Sequence, residues 1–378
     1  MAYRIGIDAR KLTDYGIGTY VQHLIRGLAA RDRDNEYFLF VGEQGAAALF
    51  DLPDNFHTVI ERSPGYSVRE LFAVTWQLLR HSIDLYHATH YVLPIWVPGK
   101  SIVTIHDIIH LLYPEFLPNR FAFFYAQRMI ARALAASNRV LTDSQSTRND
   151  LVSYFDTDVT KIDVVYPGIE RRFLQPVEPT EIDRVRQRFS LTKPYALFVG
   201  NPKPHKNLPN ILSAFAGAVI GNDFDVDLVC AGGHMEEHEH NRHTATRLGI
   251  DERFKTLGYV EDEDLPALYQ GAEVFLYPTL YEGFGLPAVE AMASGIPVIT
   301  SNTSALKEIA QGAARLVDPL NIQQMSQEIA RCLTDENLRR ELKQAGRERA
   351  ANYSWDQAAE RVLEAYRSTL EEGYFQSS

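Results

Sequence analysis

The sequence predicts an α/β protein of two Rossmann-like halves, each a parallel sheet flanked by helices, facing one another across a cleft. Two series of short apolar runs alternate with longer helical patterns, and a proline- and glycine-marked break separates the series. Glycine-bearing turns follow a predicted strand and open a predicted helix at three places. At 378 residues the chain exceeds one typical core, which agrees with two domains.

In the first series, Tyr3 to Ile7, Tyr37 to Val41, His57 to Ile60, Leu85 to His87, Ser101 to Ile105 and Arg139 to Leu141 read as strands. Thr19 to Ala30, Val68 to His81 and Arg120 to Ala136 read as helices between them. The stretch Ile162 to Phe173, with Pro167 and Gly168, ends a strand in turn-forming residues and leads to Pro176 and Pro179. It predicts the linker, with domains at 1–170 and 171–354. The second series comprises Tyr195 to Val199, Asp227 to Ala231, Phe254 to Leu257, Val274 to Tyr277, Pro297 to Thr300 and Arg315 to Val317. The tail, Trp355 to Leu370, is amphipathic, with Ser354 available as an N-cap.

A net charge of -11 argues against a general nucleic-acid binder and favours a small-molecule or sugar partner. Cys230 and Cys332 are too few for a disulfide framework or a cysteine zinc site and fit a reducing compartment. The first residues lack a signal-peptide apolar region, and no stretch approaches the length of a membrane span. The expected location is the cytoplasm, with at most peripheral contact at the inner face of a membrane.

The most informative segment is Tyr277 to Gly295, which reads as strand, glycine-rich loop and helix. Gly283 and Gly285 let the backbone approach a ligand, Pro287 suits a first helical turn, and the amides around Ala288 and Val289 suit a phosphate. Glu290 falls in the first turn, where its carboxylate can accept two hydrogen bonds from a diol such as ribose. Glu282 lies on the loop before it. Acidic residues complementing a helix start would explain one glutamate, but explain the pair and the glycines poorly.

Gly16 and Gly18, after the first strand, form a second turn able to approach a diphosphate or a sugar; a mere strand-to-helix turn is the alternative. A third turn, Gly200-Asn201-Pro202-Lys203-Pro204-His205-Lys206-Asn207, brings Lys203 and Lys206 to where a leaving diphosphate would gain charge, Lys206 being favoured. A solvated lysine face is the alternative. His106 ends a strand with Asp107 beside it, and can bind a sugar hydroxyl or stabilise charge; a core histidine is the alternative. His87 and His90 end a neighbouring strand and are expected to line the same cleft. The run His234 to His243 reads as a charged loop, so no metal is expected. Tyr66, Trp76, Tyr113, Phe116, Phe121, Phe123, Phe124 and Tyr125, with Arg69, Arg80, Arg120 and Arg128, read as core packing. A face for an acceptor or membrane is the alternative.

With these residues assembled, the chain resembles the retaining glycosyltransferases of family 4, which have the GT-B fold. The resemblance covers nearly the whole chain and is most specific in Glu282 to Glu290 and in Leu257-Gly258-Tyr259-Val260. It implies a nucleotide-sugar donor and no cofactor or metal, with the C-terminal helix, 355–378, crossing back to the first domain. It gives Glu290 the ribose and Glu282 the donor sugar. Phe284, Gly285 and Leu286 would reach the sugar and diphosphate through their backbone, and Tyr259 and Val260 border the base. It further implies His106 near the donor sugar, Gly16 and Gly18 in the diphosphate loop, and Gly200, Asn201, Lys203 and Lys206 around the phosphates. Many members carry a basic residue where this chain has Asn201, so Lys206 is expected to share its task with Lys203. Pro204 to Asn207 is similar to bacterial mannosyltransferases using GDP-mannose, which implies mannose transfer to a glycan or lipid-linked acceptor in polysaccharide or glycolipid synthesis. The rival readings are a nucleotide-sugar epimerase of the same fold and a non-catalytic sugar-nucleotide binding module.

Overall fold

The computed structural model describes residues 2–47, 49, 51–63, 68–233 and 239–371. The chain divides into two compact units, Met1–Gly168 with Ser354–Ser378, and Ile169–Tyr353.

The first unit holds seven parallel strands: β1 Arg4–Asp8, β2 Glu36–Val41, β3 Phe56–Ile60, β4 Leu85–Ala88, β5 Lys100–Ile105, β6 Arg139–Thr142 and β7 Ile162–Val164. Their spatial order is β3-β2-β1-β4-β5-β6-β7. Successive side chains of a strand point to opposite faces, so each strand feeds two cores. Ile5, Ile7, Tyr37, Leu39 and Val41 pack with the helix Ile17–Arg31 and with Val362, Leu363 and Tyr366 of the helix Trp355–Glu371. Phe38, Phe40, Tyr86 and Val103 pack on the other face with Val74, Leu78, Ile130 and Leu134. The helix Trp355–Glu371 therefore completes the first unit, as the GT-B resemblance implies. Gly27 lets it come close, since a Cβ there would lie 2.4 Å from that of Ala359.

The second unit holds six parallel strands: β8 Tyr195–Val199, β9 Asp227–Ala231, β10 Phe254–Gly258, β11 Val274–Tyr277, β12 Val298–Ser301 and β13 Arg315–Val317. They run in the order β10-β9-β8-β11-β12-β13. Strand β12 starts one residue later than the apolar run suggests, because Pro297 has no N–H to give to the ladder; its carbonyl accepts the Phe275 N–H at 2.8 Å.

Strand order reverses between β1 and β4 in one sheet and between β8 and β11 in the other. The chain leaves such neighbours in opposite directions, opening a crevice beyond their carboxyl ends where α/β proteins bind ligands.

Candidate active site

In the second unit the loops after β8 and β11 meet at that reversal. Asn207, in the left-handed region at φ 62°, is buried, and its Nδ2 donates to the carbonyls of Pro278 at 2.9 Å and Pro319 at 2.7 Å. The Leu280 N–H donates to the His205 carbonyl at 2.8 Å, which ties the two loops a second time. Lys206 is thereby held over Glu282: its Nζ donates to Oε1 at 2.8 Å, to Oε2 at 3.0 Å and to the Tyr277 hydroxyl at 2.7 Å. Tyr277 is fully buried, and burial followed by the charge of Glu282 keeps its phenol neutral. The Glu282 N–H donates to Ser304 Oγ at 3.1 Å, fixing the loop from its other side.

Gly285 has φ 96°, and a Cβ there would lie 2.5 Å from Leu306 Cδ2, so glycine is required where the loop enters the helix Leu286–Ala293. Phe284 is buried edge-on against Tyr353, with ring centroids 5.4 Å apart. The amides of Ala288 and Val289 do not stand free. Both point to the Gly285 carbonyl, at 3.0 and 3.4 Å, because the first helical turn closes on itself. The helix start still offers the Leu286 amide, ahead of a proline that has none.

Glu290 accepts a hydrogen bond from the fully buried Tyr269 hydroxyl at 2.8 Å. Burial pushes its carboxyl up to about 7, with Tyr269 and Arg172 opposing the shift. Arg172 is in turn paired with Glu170 at 2.7 Å and donates to the Asp262 carbonyl at 2.6 Å. Around the same edge, Gly200 donates to the Ala231 carbonyl at 2.8 Å and Gly232 to the Gly258 carbonyl at 2.7 Å, closing the ends of β8, β9 and β10 together. Asn201 is half-buried, Lys203 and Tyr259 are exposed, and Val260 is buried.

In the first unit, His106 follows β5. Its Nδ1 bonds Asp143 Oδ2 at 2.7 Å and its Nε2 the Thr89 carbonyl at 3.0 Å. Burial opposes its charge, but Asp143 and Thr89 raise its pKa above the ordinary histidine value. With an acceptor beside each nitrogen, the surroundings favour the doubly donating form of the ring. Asp107 has a different task, accepting the Ile109 N–H at 3.0 Å. His87 does not line a ligand space: it is fully buried between Tyr366 Oη and Thr104 Oγ1, each at 2.7 Å, and burial pushes it down to about 3. Gly16 sits at φ 58° with open space around it, whereas a Cβ on Gly18 would lie 2.6 Å from the Leu12 carbonyl oxygen. The need for glycine at position 18 is therefore one of packing.

Trp76, Phe121 and Phe124 are exposed, against the core reading, while Phe123 packs on the core. Tyr66 and His234 to His238 lie outside the described residues. Among the described residues, no group of three or more His, Cys, Asp or Glu side chains is placed to hold a metal ion. The sequence reading missed Tyr277, Tyr269, Asp143 and Ser304, whose polar atoms hold Lys206, Glu290, His106 and Glu282.

Comparison with known proteins matches residues 15–173 to the model described as Glycosyltransferase Family 4 and residues 179–349 to Glycosyl transferases group 1. The chain belongs to the family 4 glycosyltransferases. It is 28% identical over 370 residues to the O-antigen chain mannosyltransferase B of Escherichia coli, covering 93% of this chain and 96% of that protein. It is 31% identical over 254 residues to the MMP alpha-(1->4)-mannosyltransferase of Mycolicibacterium hassiacum, covering 66% of this chain and 58% of that one. Among solved structures, the sucrose-phosphate synthase of Thermosynechococcus elongatus matches over 100% of both chains with TM-score 0.80 and 19% identity. That likeness is one of fold, and this glycosyltransferase is accordingly a GT-B protein.

Proposed function

We propose that this glycosyltransferase moves mannose from GDP-mannose to a glycan or lipid-linked acceptor, with retention at the anomeric carbon, in bacterial polysaccharide or glycolipid synthesis. The observation that carries the reading is the Lys206–Tyr277–Glu282 cluster beside Glu290 at the reversal between β8 and β11. The mannosyltransferase relatives support the choice of sugar. Glu290 holds the ribose, Glu282 meets the sugar, and the backbone of Phe284, Gly285 and Leu286 faces the sugar and diphosphate. Gly16, Gly18, Gly200, Asn201 and Lys203 approach the phosphates, and Tyr259 and Val260 border the base.

In the reaction, the bond from the anomeric carbon to the diphosphate oxygen breaks as the acceptor oxygen bonds to the same face. The acceptor proton passes to the leaving diphosphate. Lys206, a compact ammonium, exchanges its carboxylate partner for phosphate and stabilises the growing charge, and no metal or cofactor takes part. His106 supplies positive charge near the sugar. The exposed aromatic residues of the first unit, with Arg80 packed over Trp76 at 5.3 Å, suit a lipid-linked acceptor at the inner face of the plasma membrane. No described helix is long and apolar enough to cross a membrane.

A thermal-shift screen against nucleoside diphosphates and their sugars tests the donor, since a ligand of the folded state raises apparent stability. GDP and GDP-mannose should give the largest shifts. A larger shift with another nucleotide removes the GDP assignment, and an isomerised nucleotide sugar, formed from donor alone, removes the transferase reading.

A further inference from the structure

A run of buried polar side chains crosses the core of the first unit and ends beside His106. It begins on the helix Trp355–Glu371. The Tyr366 hydroxyl meets His87 Nδ1 at 2.7 Å, His87 Nε2 meets Thr104 Oγ1 at 2.7 Å, and Thr104 Oγ1 meets the Tyr20 hydroxyl at 3.3 Å. His87 comes from β4, Thr104 from the neighbouring β5 and Tyr20 from the helix Ile17–Arg31. None of these residues is more than 3% exposed.

Burial keeps His87 neutral, and a neutral imidazole donates from one nitrogen and accepts at the other, so the donors point one way along the whole run. Each polar side-chain atom in it has a partner. Apolar residues of the same shape would pack about as stably, whereas a fully satisfied network locks its members in one arrangement. The member that reaches the site is Tyr20. Its ring stands edge-on to that of His106, with centroids 4.9 Å apart and planes at 79°. Burial, then the charge of Asp143, pushes the Tyr20 phenol up, so its hydroxyl stays protonated close to the His106–Asp143 pair. The helix Trp355–Glu371 reaches Tyr20 a second time: Trp355 lies edge-on to it at 6.2 Å and is itself stacked on His23 at 4.6 Å. The loop after β6 holds His106 from elsewhere, Asp143 at Nδ1 and Thr147 at the main-chain carbonyl, 3.1 Å away. Hydrogen bonds at Nδ1 and Nε2 lie in the ring plane. They leave the tilt about the line joining them to packing, which Tyr20 supplies.

We propose that Tyr20 is a positioning residue for His106, and that the helix Trp355–Glu371 sets the tilt of this imidazole through His87, Thr104 and Trp355. The assignment rests on the glycosyl-transfer reading given to His106. NMR of the full chain isotopically labelled at histidine Cε1, with His106 assigned by its loss in His106→Gln, tests the geometry. The kcat and KM with labelled GDP-mannose test the consequence. Tyr366→Phe and Tyr20→Phe each remove one hydroxyl and keep every ring, so a displaced His106 resonance reports a changed tilt and not a lost ring current. Each should shift that resonance and lower kcat by about threefold to tenfold, the worth of one hydrogen bond, with the donor KM and the GDP thermal shift retained. The double variant should lose no more than the weaker single variant, because either change breaks the same run. A His106 resonance or a kcat that stays put in both single variants, whatever the melting temperature does, overturns the proposal, and so do losses that multiply in the double variant. Turnover unaltered in His106→Ala would instead overturn the reading of His106 itself, so the two failures are told apart.

Discussion

At the carboxyl edge of β8 and β11 a single ammonium, Lys206, stands over Glu282 and the buried Tyr277, whereas at the edge of β1 and β4 the guanidinium of Arg10 is clamped between Asp8 and Glu70. The strand order around the two crevices is the same. Their electrostatics differ in what each cation can still do. Lys206 is a point charge on a flexible stem that can turn from carboxylate to phosphate, and it has a helix start beside it. Arg10 has its planar fork spent on two carboxylates. Topology provides a crevice in each sheet, and the partners of its cation decide how much of that charge is left for a ligand.

The sharpest way to break this contrast is Lys206→Ala. Turnover should fall by ~10²–10³-fold, as for loss of a charge-stabilising donor, measured as kcat/KM with labelled donor. A fall below tenfold would remove Lys206 from the chemistry. His106→Ala should lower turnover by roughly 10²-fold and leave GDP affinity in calorimetry unaltered, because its partners Asp143 and Thr89 belong to the first unit. Weakened GDP binding would join the two regions that the contrast separates. Tyr269→Phe removes the hydrogen bond to Glu290 and should weaken GDP by about 5–30-fold, with a smaller loss for the 2′,3′-dideoxy nucleotide. Equal losses for both would detach Tyr269 from ribose reading.

The smallest effect is one of pH. The folded-state pKa of Glu290 is raised, from 4.5 to about 7, so its stabilising contribution is full below 4.5 and gone once pH rises past about 7. GDP binding to the ionised carboxylate should therefore tighten from pH 6 to 8, by up to about tenfold per unit below the pKa, and flatten in Glu290→Gln. Arg172, Glu170 and Asp262 act on the same carboxyl, so a profile that persists in Glu290→Gln points to them.

Much of the fold was legible because buried parallel strands are short apolar runs closed by turn residues; β8, β9, β11 and β13 begin and end where those runs do. The loops after β8 and β11 were legible for the same reason, since each is a strand followed by glycines and a helix. The polar contacts were hidden. Tyr277 reads as an apolar member of its strand, Tyr269 lies in no segment that the sequence singles out, and nothing local tells where a phenol hydroxyl points. His106 has Asp107 beside it in sequence but bonds Asp143, 37 positions on, because β5 and β6 are neighbours only in space. His87 read as a ligand-facing residue and lies in the core, where Tyr366 and Thr104 satisfy both nitrogens. The amides of Ala288 and Val289 were expected to be open, and the tight first turn closes them.

The helix Trp355–Glu371 has a consequence for the order in which the protein forms. The second unit is continuous in sequence, so a growing chain has all of it once Tyr353 emerges. The first unit begins earlier and finishes later, because Val362, Leu363 and Tyr366 come last and pack against Ile5, Leu24 and Leu39. Until then the part of helix Ile17–Arg31 that Val362, Leu363 and Tyr366 cover stays exposed, so the first unit waits for a segment made after the entire second unit. A chain stopped at Tyr353 should fold its second unit and aggregate through its first.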